Sequence, residues 1–219
     1  MKTGFSKFTL ACAAVAILAS SGTALAADLR VDTATTAINV SAPAQDAASE
    51  GAKNFISSMG DRGINFLGNE SMSIEAKKAE FSDLLNESFD MNTIGRFALG
   101  TYWKVATPAQ QKEYLKLFNT MIVKVYSKRF SDYKGQKFTV KSSRKDSEKD
   151  YIVTSFIIPG DGPQVQVDWR VRNKGGSYRV VDIMVEGVSM SQTQRADFAS
   201  VINRGGGKVD VLLNHLRQQ

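Results

Sequence analysis

A serine and a histidine near the C-terminus stand in the order that serine hydrolases use. The segment Gly187–Ser191 follows an apolar, strand-like run and precedes a predicted helix, so Ser189 occupies the place of a nucleophile, and His215 follows. However, the fifth position of the motif is Ser191, where the sharp turn requires glycine, and the preceding strands read as antiparallel. A capping box from Ser189 to Gln192 explains the same residues as a helix start. We therefore predict a protein that is not an enzyme and keep a serine hydrolase as the alternative.

Other chemistry finds little support in the residues. The chain has one histidine and one cysteine, so a transition-metal site would need carboxylates such as Asp182 and Glu186, which do not cluster with others. The run Gly205–Lys208 resembles a phosphate-binding loop, but Val209 stands where that loop needs serine or threonine. We predict no metal site and no cofactor.

The N-terminus has the pattern of a cleaved signal peptide. Lys2 and Lys7 border an apolar stretch, Phe8–Ala19, and Ala24–Ala26 supplies the small residues that a signal peptidase recognises. Cleavage after Ala26 leaves 193 of the 219 residues and lowers the net charge from +6 to +4, because residues 1–26 hold two lysines and no acid. This mild charge suits contact with anionic lipid headgroups and argues against a nucleic-acid partner.

Hydrophobic spacing predicts a helical first half. We interpret residues 27–45 as a flexible leader and residues 46–219 as a single domain. Helices are predicted over residues 46–67, after a cap at Ser73, over residues 92–99, and after the cap and first-turn proline of Thr107-Pro108.

From Phe138 onward the period changes to two, which is typical of strands. Four strands separated by short turns are predicted, and the third alternates Val165, Val167, Trp169 and Val171 with polar residues. Two helices, separated by the glycines at 205–207, close the chain. The fold class is therefore α+β, with a twisted four-stranded antiparallel sheet packed against a mostly N-terminal helical layer.

Three aromatic residues lie close together between two predicted helices. Phe97, Tyr102 and Trp103 are flanked by Arg96 and Lys104, which is the composition of an aromatic–basic surface. Core aromatics beside solvated charges have the same composition, and we favour the core.

Two segments carry a resemblance to a known family. The first runs from Ile94 to Lys104 and continues through Ala106–Gln111, and the second is the segment VEGVSMSQTQRADFASVI, residues 185–202. Together they resemble the signature of the MlaC family, also called the toluene-tolerance or Tol-Tol-Ttg family of periplasmic lipid-binding proteins. The likeness extends from about residue 47 to residue 216.

This resemblance implies a soluble periplasmic carrier that holds a phospholipid by its acyl chains and maintains the lipid asymmetry of the outer membrane. Its partners would be an outer-membrane lipoprotein complex and an inner-membrane ABC transporter with its MCE-domain subunit. Some relatives are associated with hopanoid metabolism, so a hopanoid-related cargo is the alternative within the family.

A lipid carrier needs an apolar interior, because two acyl chains of about fifteen methylenes each represent about 24 kcal/mol of hydrophobic transfer. We expect the sheet to curl around the long helix and enclose a lipid cavity. An ordinary dry core has the same residue types, and only the resemblance favours a cavity. The predicted lipid-binding residues are Phe97, Trp103, Phe118, Met121, Ile122, Val125, Val165, Val167, Trp169, Val171, Val181 and Val185.

Overall fold

A computed structural model of the protein describes residues 47–219. The predicted signal peptide, residues 1–26, and the predicted leader, residues 27–45, lie outside the described residues. The helices are α1 (Ala47–Gly68), α2 (Ile74–Ser88), α3 (Met91–Leu99), α4 (Tyr102–Val105), α5 (Pro108–Ser127), α6 (Met190–Arg204) and α7 (Val209–Arg217), with a short 3-10 turn at Phe130–Asp132.

The helix boundaries follow the capping signals in the sequence. The Ser73 side chain accepts a hydrogen bond from the Ala76 amide at 3.1 Å and so begins α2. Thr107 and Gln110 form a complete capping box at the start of α5, with Pro108 in the first turn. Local residue chemistry therefore determines where these helices begin.

The strands are β1 (Lys137–Lys145), β2 (Asp150–Ile158), β3 (Val165–Lys174), β4 (Ser177–Val185) and β5 (Val188–Ser189). They form one antiparallel sheet in the order β1-β2-β3-β4-β5. The predicted α+β class and antiparallel meander are confirmed, but the sheet has five strands, not four. The sequence prediction missed β5 because two residues are too few to show an alternating pattern.

A β-bulge in β4 changes which residues face the helices. Val171 pairs with Val180, whereas the preceding residue of β3, Arg170, pairs with Asp182, so Val181 is the extra residue. Ile183 and Val185 consequently share a face with Val180. We call this the inner face, because α1 packs on it.

The buried apolar residues form two clusters. The sheet cluster joins α1 to the inner face, with Ala52 and Ile56 fully buried against Val153, Val171 and Val180. The helical cluster lies among α3, α5, α6 and α7, and its fully buried members include Tyr114, Ile202 and Leu212.

The packing differs from the prediction in which helix covers the sheet. The helix on the sheet is α1 and not the long helix α5, which packs against α2, α3 and α7. The C-terminal helices α6 and α7 also contribute to the helical cluster, beside α3 and α5, but five of the seven helices precede the sheet, so the helical layer is mostly N-terminal as predicted. Periodicity identified the apolar stripe of α5, but it does not specify the partner of a stripe.

Glycines allow α1 to approach the sheet closely. A Cβ atom at Gly60 would lie 2.2 Å from the Phe138 ring, and one at Gly51 would lie 2.2 Å from the Tyr178 hydroxyl. Two of the glycines that interrupt this helix in the sequence, Gly51 and Gly60, are therefore its contact points with the sheet.

We predict opposite effects for two alanine substitutions in α1. A Cβ atom at Gly63 would meet nothing outside its own stretch of helix within 4 Å; Gly63→Ala should therefore raise the free energy of unfolding by about 0.5–1 kcal/mol through helix propensity alone. Gly60→Ala gains the same propensity but must displace the Phe138 ring, so we expect a net loss of about 1–3 kcal/mol. Urea unfolding of both variants tests this, and two stabilising substitutions would contradict the close approach of α1.

Candidate functional site

One end of the inner face is covered by α1, and the other end is partly open. The covered end consists of Tyr151, Val153, Val171 and Val180, which are all buried. We call the other end the open end; its partly buried or exposed residues are Phe138, Ile157, Val165, Trp169, Ile183 and Val185. Ser155 and Val167 at this end are buried, and α1 reaches it at Gly60, against the Phe138 ring. The open end is thus an apolar floor that reaches solvent.

Three aromatic rings cross this floor. Trp169 lies in the middle, with its ring centroid 6.2 Å from that of Phe138 on β1 and 6.5 Å from that of Phe89. Both pairs have edge-to-face geometry, which is a favourable arrangement for aromatic rings. The row gives the open end a large, rigid apolar surface.

The polar atoms of this floor are bonded to each other. The Trp169 indole Nε1 donates a hydrogen bond to Ser155 Oγ at 2.8 Å, and Ser155 Oγ donates to the Val167 carbonyl at 3.0 Å. Ser155 is fully buried. Because these groups satisfy one another, the open end can present carbon atoms to a ligand without leaving a buried donor unpaired.

Phe89 is held in place by the junction between α2 and α3. Phe89 forms a β-bridge with Val180, and the Asp90 amide donates to the Val180 carbonyl at 2.9 Å. Asp90 also caps α3 by accepting from the Thr93 amide, and it pairs with Lys174. Burial acts to raise the pKa of Asp90, but the hydrogen bonds from Thr93 and the Lys174 charge lower it on balance. Because the folded pKa of Asp90 lies below its unfolded value of about 4, Asp90 stabilises the junction fully above that pH. This contribution is lost as the pH falls through the folded pKa.

The predicted strand residues largely come together. Val165, Val167, Trp169, Val171 and Val185 all share the inner face. Within this set, Val171 lies under α1, whereas Val165, Trp169 and Val185 lie at the open end. Val181 is buried at the β-bulge, outside the alternation that the sequence suggests.

The predicted residues of α5 do not face these strands. Phe118, Met121, Ile122 and Val125 pack in the helical cluster, together with Phe198 of α6 and residues of α7. Tyr114 lies in the same cluster; its hydroxyl donates to the Gly95 carbonyl at 2.9 Å, and burial raises its pKa. The structure therefore does not place the helix set and the strand set opposite each other as two walls of one cavity.

The aromatic residues between α3 and α4 divide into two kinds. Trp103 and Tyr102 pack against the helical cluster, as predicted for core aromatics. Phe97 is 40% exposed, so the prediction that it belongs to the core is wrong. In a helix as short as α3, the spacing of Phe97 is compatible with either a buried or an exposed position. The packing of α6 against α3 determines which position it takes.

The polar segment at the start of α6 is a structural junction. The Ser189 side chain accepts from the Gln192 amide at 3.1 Å and donates to Asp182 Oδ2 at 2.6 Å. Its only hydroxyl hydrogen is thus used by Asp182, whereas a hydrolase serine donates that hydrogen to histidine. His215 lies on α7, with Nε2 2.8 Å from Gln219 Nε2.

Sequence reasoning missed several residues of the open end. Phe138 and Ile157 were assigned to strands but not to the site, although the pairing of Phe138 with Ile157 and of Ile157 with Val165 brings them to the same face. Correct strand register would have identified both. Phe89 lies in a helix-to-helix junction, and no local pattern connects it to the sheet.

Within residues 47–219, no helix has the length and apolar composition needed to cross a bilayer. No group of three or more His, Cys, Asp or Glu side chains is placed to hold a metal ion in this part of the chain.

Comparison with known proteins supports a shared fold and ancestry. A phospholipid-binding protein from Ralstonia solanacearum, solved in complex with a phospholipid, superposes with a TM-score of 0.66 at 24% identity, over 76% of this chain and 95% of that one. The intermembrane phospholipid transport system binding protein MlaC of Haemophilus influenzae is 27% identical over 128 residues, 57% of this chain and 59% of that protein. The toluene tolerance protein ttg2D of Pseudomonas putida is 26% identical over 109 residues, 50% of this chain and 51% of that protein.

The matched part of the chain spans a little more than half the length of these two relatives. The family model described as MlaC protein covers more, since it matches residues 58–218, which include every helix from α2 to α7 and all five strands. The chain belongs to the MlaC protein family.

Proposed function

We propose that this protein is a periplasmic phospholipid carrier, which binds the acyl chains of its cargo at the open end of the inner face. The observation that carries the proposal is the aromatic row of Phe138, Trp169 and Phe89 on an apolar floor whose polar groups are satisfied internally. Such a floor lowers the free energy of a desolvated acyl chain because it replaces water with carbon contacts.

The site suits the acyl chains better than the headgroup. The exposed residues at its border include Ile157, which is 38% exposed, and the residues that form the floor are all uncharged, so they offer a phosphate no cation. A headgroup would remain in water at the opening, where it costs no desolvation. The carrier would therefore have little headgroup specificity.

Family membership supports transport over storage or catalysis. The two curated relatives are named for intermembrane phospholipid transport and for toluene tolerance, and the Ralstonia relative was solved with a phospholipid. By this reasoning the protein receives lipid from one membrane complex and delivers it to another. Its partners would be an outer-membrane lipoprotein complex and an inner-membrane ABC transporter with an MCE-domain subunit. It would act without a cofactor and without covalent chemistry.

The cargo can be measured directly. The full chain, expressed in a bacterial host and purified from the periplasm, should carry close to one equivalent of diacyl phospholipid by native mass spectrometry and lipid extraction. After removal of that lipid, the protein should take up phospholipid again from added vesicles, because the empty open end leaves apolar surface in water.

Three results would contradict the proposal in whole or in part. Protein without any lipid that also fails to take up phospholipid would exclude a carrier. A fused-ring lipid in place of a diacyl lipid would identify the cargo as hopanoid-related. Labelling of Ser189 by a fluorophosphonate probe, lost in His215→Ala, would instead support the hydrolase.

A further inference from the structure

The turn between α3 and α4 presents apolar side chains and cations to solvent together. Phe97 is 40% exposed and Val105 is 70% exposed, and each directly follows an exposed cation, Arg96 and Lys104. Arg195 of α6 reaches the same place, with its guanidinium carbon 5.3 Å from the centre of the Phe97 ring. We call Arg96, Phe97, Lys104, Val105 and Arg195 the aromatic–cationic patch.

The patch is held in a defined arrangement. The Arg96 guanidinium lies 5.2 Å from the centre of the Trp103 ring, which ties α3 to α4. Gly100 forms the turn with φ +62°, and a Cβ atom there would lie 2.8 Å from Arg195 Nε. Glycine thus provides both the left-handed backbone and the space in which Arg195 lies against Phe97.

The cations of the patch have no carboxylate partners among the described residues. Elsewhere in residues 47–219, Arg62, Arg172 and Arg217 each form an ion pair with an acid. None of the ion pairs in that range involves Arg96, Lys104 or Arg195. Asp197 is two positions from Arg195 on α6, a spacing at which helical side chains do not face each other. The patch therefore offers three positive charges to an external anion.

We propose that the aromatic–cationic patch docks the protein on a membrane surface that contains anionic phospholipid. Aromatic and aliphatic tips favour the boundary between headgroups and acyl chains, and cations beside them bind the phosphates. In this arrangement both the apolar and the cationic side chains of the patch contact the membrane. Binding of a soluble anion would use only the cations and leave Val105 exposed to water.

A second basic surface makes a useful contrast. A groove of about 1000 Å³ between α2 and α5 is lined by Lys78, Lys116, Lys124 and Lys128. Ile74, which is 42% exposed, also lines this groove, but the cations and the apolar side chain there border a concave surface, which a flat membrane contacts less well. The proposal therefore places docking at the patch and not at the groove.

Vesicle flotation tests the role of the cations. Wild-type protein should float with vesicles of phosphatidylcholine and phosphatidylglycerol, less so at high salt, and not with phosphatidylcholine alone. The triple variant Arg96→Gln, Lys104→Gln, Arg195→Gln should bind about a hundredfold more weakly, because each cation near an anionic surface contributes about fivefold. The matched control Lys116→Gln, Lys124→Gln, Lys128→Gln loses the same net charge and should bind within about twofold of wild type.

A second pair of variants tests the apolar tip. Val105→Ser should weaken flotation by about threefold, because it removes methyl groups that enter the interface. Val188, which is 53% exposed on β5, provides the control, and Val188→Ser should leave flotation unchanged. Circular dichroism checks the fold of every variant; if the triple patch variant unfolds, Lys104→Gln and Val105→Ser carry the test.

The proposal fails if wild-type protein does not float with anionic vesicles. It also fails if the two triple variants lose binding equally, because docking would then follow net charge and not the patch. Lipid extraction from the triple patch variant distinguishes membrane docking from cargo binding. If the variant keeps its phospholipid but no longer floats with vesicles, the docking role of the patch is supported, whatever the cargo proves to be.

Discussion

Val171→Trp should destabilise the protein by about 3 kcal/mol or more, whereas Val185→Trp should fold normally and lose its phospholipid. The two valines lie on the same face of the same sheet and differ mainly in what covers them. The expected contrast therefore tests where on the inner face the lipid binds.

Val171 has no room for a larger side chain. It is fully buried between Tyr151 of β2 and Val180 of β4, under Ala52 and Ile56 of α1. An indole ring there must displace α1 from the sheet, and overpacking of a closed core commonly costs about 1–3 kcal/mol, with larger costs for larger insertions.

Val185 lies at the open end and has space on one side. It is partly exposed, it pairs with Val167, and the opposing residue of β5, Val188, is 53% exposed. An indole ring at this position should cover the floor beside Trp169 and occupy the volume that we assign to the acyl chains. We expect a change in unfolding free energy of less than about 1 kcal/mol and the loss of most bound lipid.

Urea unfolding and lipid extraction on the same samples check both expectations. Met184→Trp is the control, because Met184 is one residue from Val185 on the opposite face of β4, where an added ring should not affect lipid content. If Val185→Trp keeps its full lipid load, the open end is not the site. If Val171→Trp folds with wild-type stability and loses lipid, the cavity instead lies under α1.

The elements of this fold could be predicted from the sequence because each has a local cause. Thr107 and Pro108 specify the start of α5 through a cap and a fixed φ, and the alternation from Val165 to Val171 specifies β3. By contrast, no local signal specifies which element each apolar surface packs against. The stripe of α5 packs on α7, and α1 reaches the sheet through Gly51 and Gly60, which local propensity counts only as weak helix formers.

The candidate site was predictable to the same extent. Trp169, Val165 and Val185 were assigned to it because period-two alternation fixes the face of a residue within a strand. The β-bulge at Val181 breaks that alternation, and a bulge leaves no mark in the pattern of apolar residues. Phe89 joins the site through a bridge to Val180, a contact between residues about ninety positions apart that no spacing rule contains.

The second large effect is expected at Asp182, a buried carboxylate that organises the turn from β4 into α6. Asp182→Ala should lower the free energy of unfolding by about 3–4 kcal/mol, because it removes a buried carboxylate acceptor and leaves its three donors unpaired. Asp182 is only 9% exposed. Its Oδ1 accepts from the Ser191 amide at 3.1 Å and from the Ile183 amide at 2.9 Å, and its Oδ2 accepts from Ser189 Oγ at 2.6 Å.

Two further variants should fall in a fixed order below this effect. Ser189→Ala removes the cap of α6 but leaves the Asp182 carboxylate with its two amide donors, so we expect a loss of about 1 kcal/mol. Asp182→Asn keeps one acceptor oxygen and should lie between the two, because its amide group cannot accept from Ser189. Urea unfolding of the three variants gives the order directly.

The order also decides what the polar segment is for. If it is a structural junction, stability should fall most in Asp182→Ala, and all three variants should keep their phospholipid, since Asp182 lies opposite Arg170, away from the aromatic row on the inner face. If the segment were catalytic, Ser189→Ala would cost little stability and abolish a measurable hydrolysis. If Asp182→Ala is as stable as wild type, the structural junction is contradicted, because the Ser191 amide at the start of α6 then does not depend on its bond to Asp182.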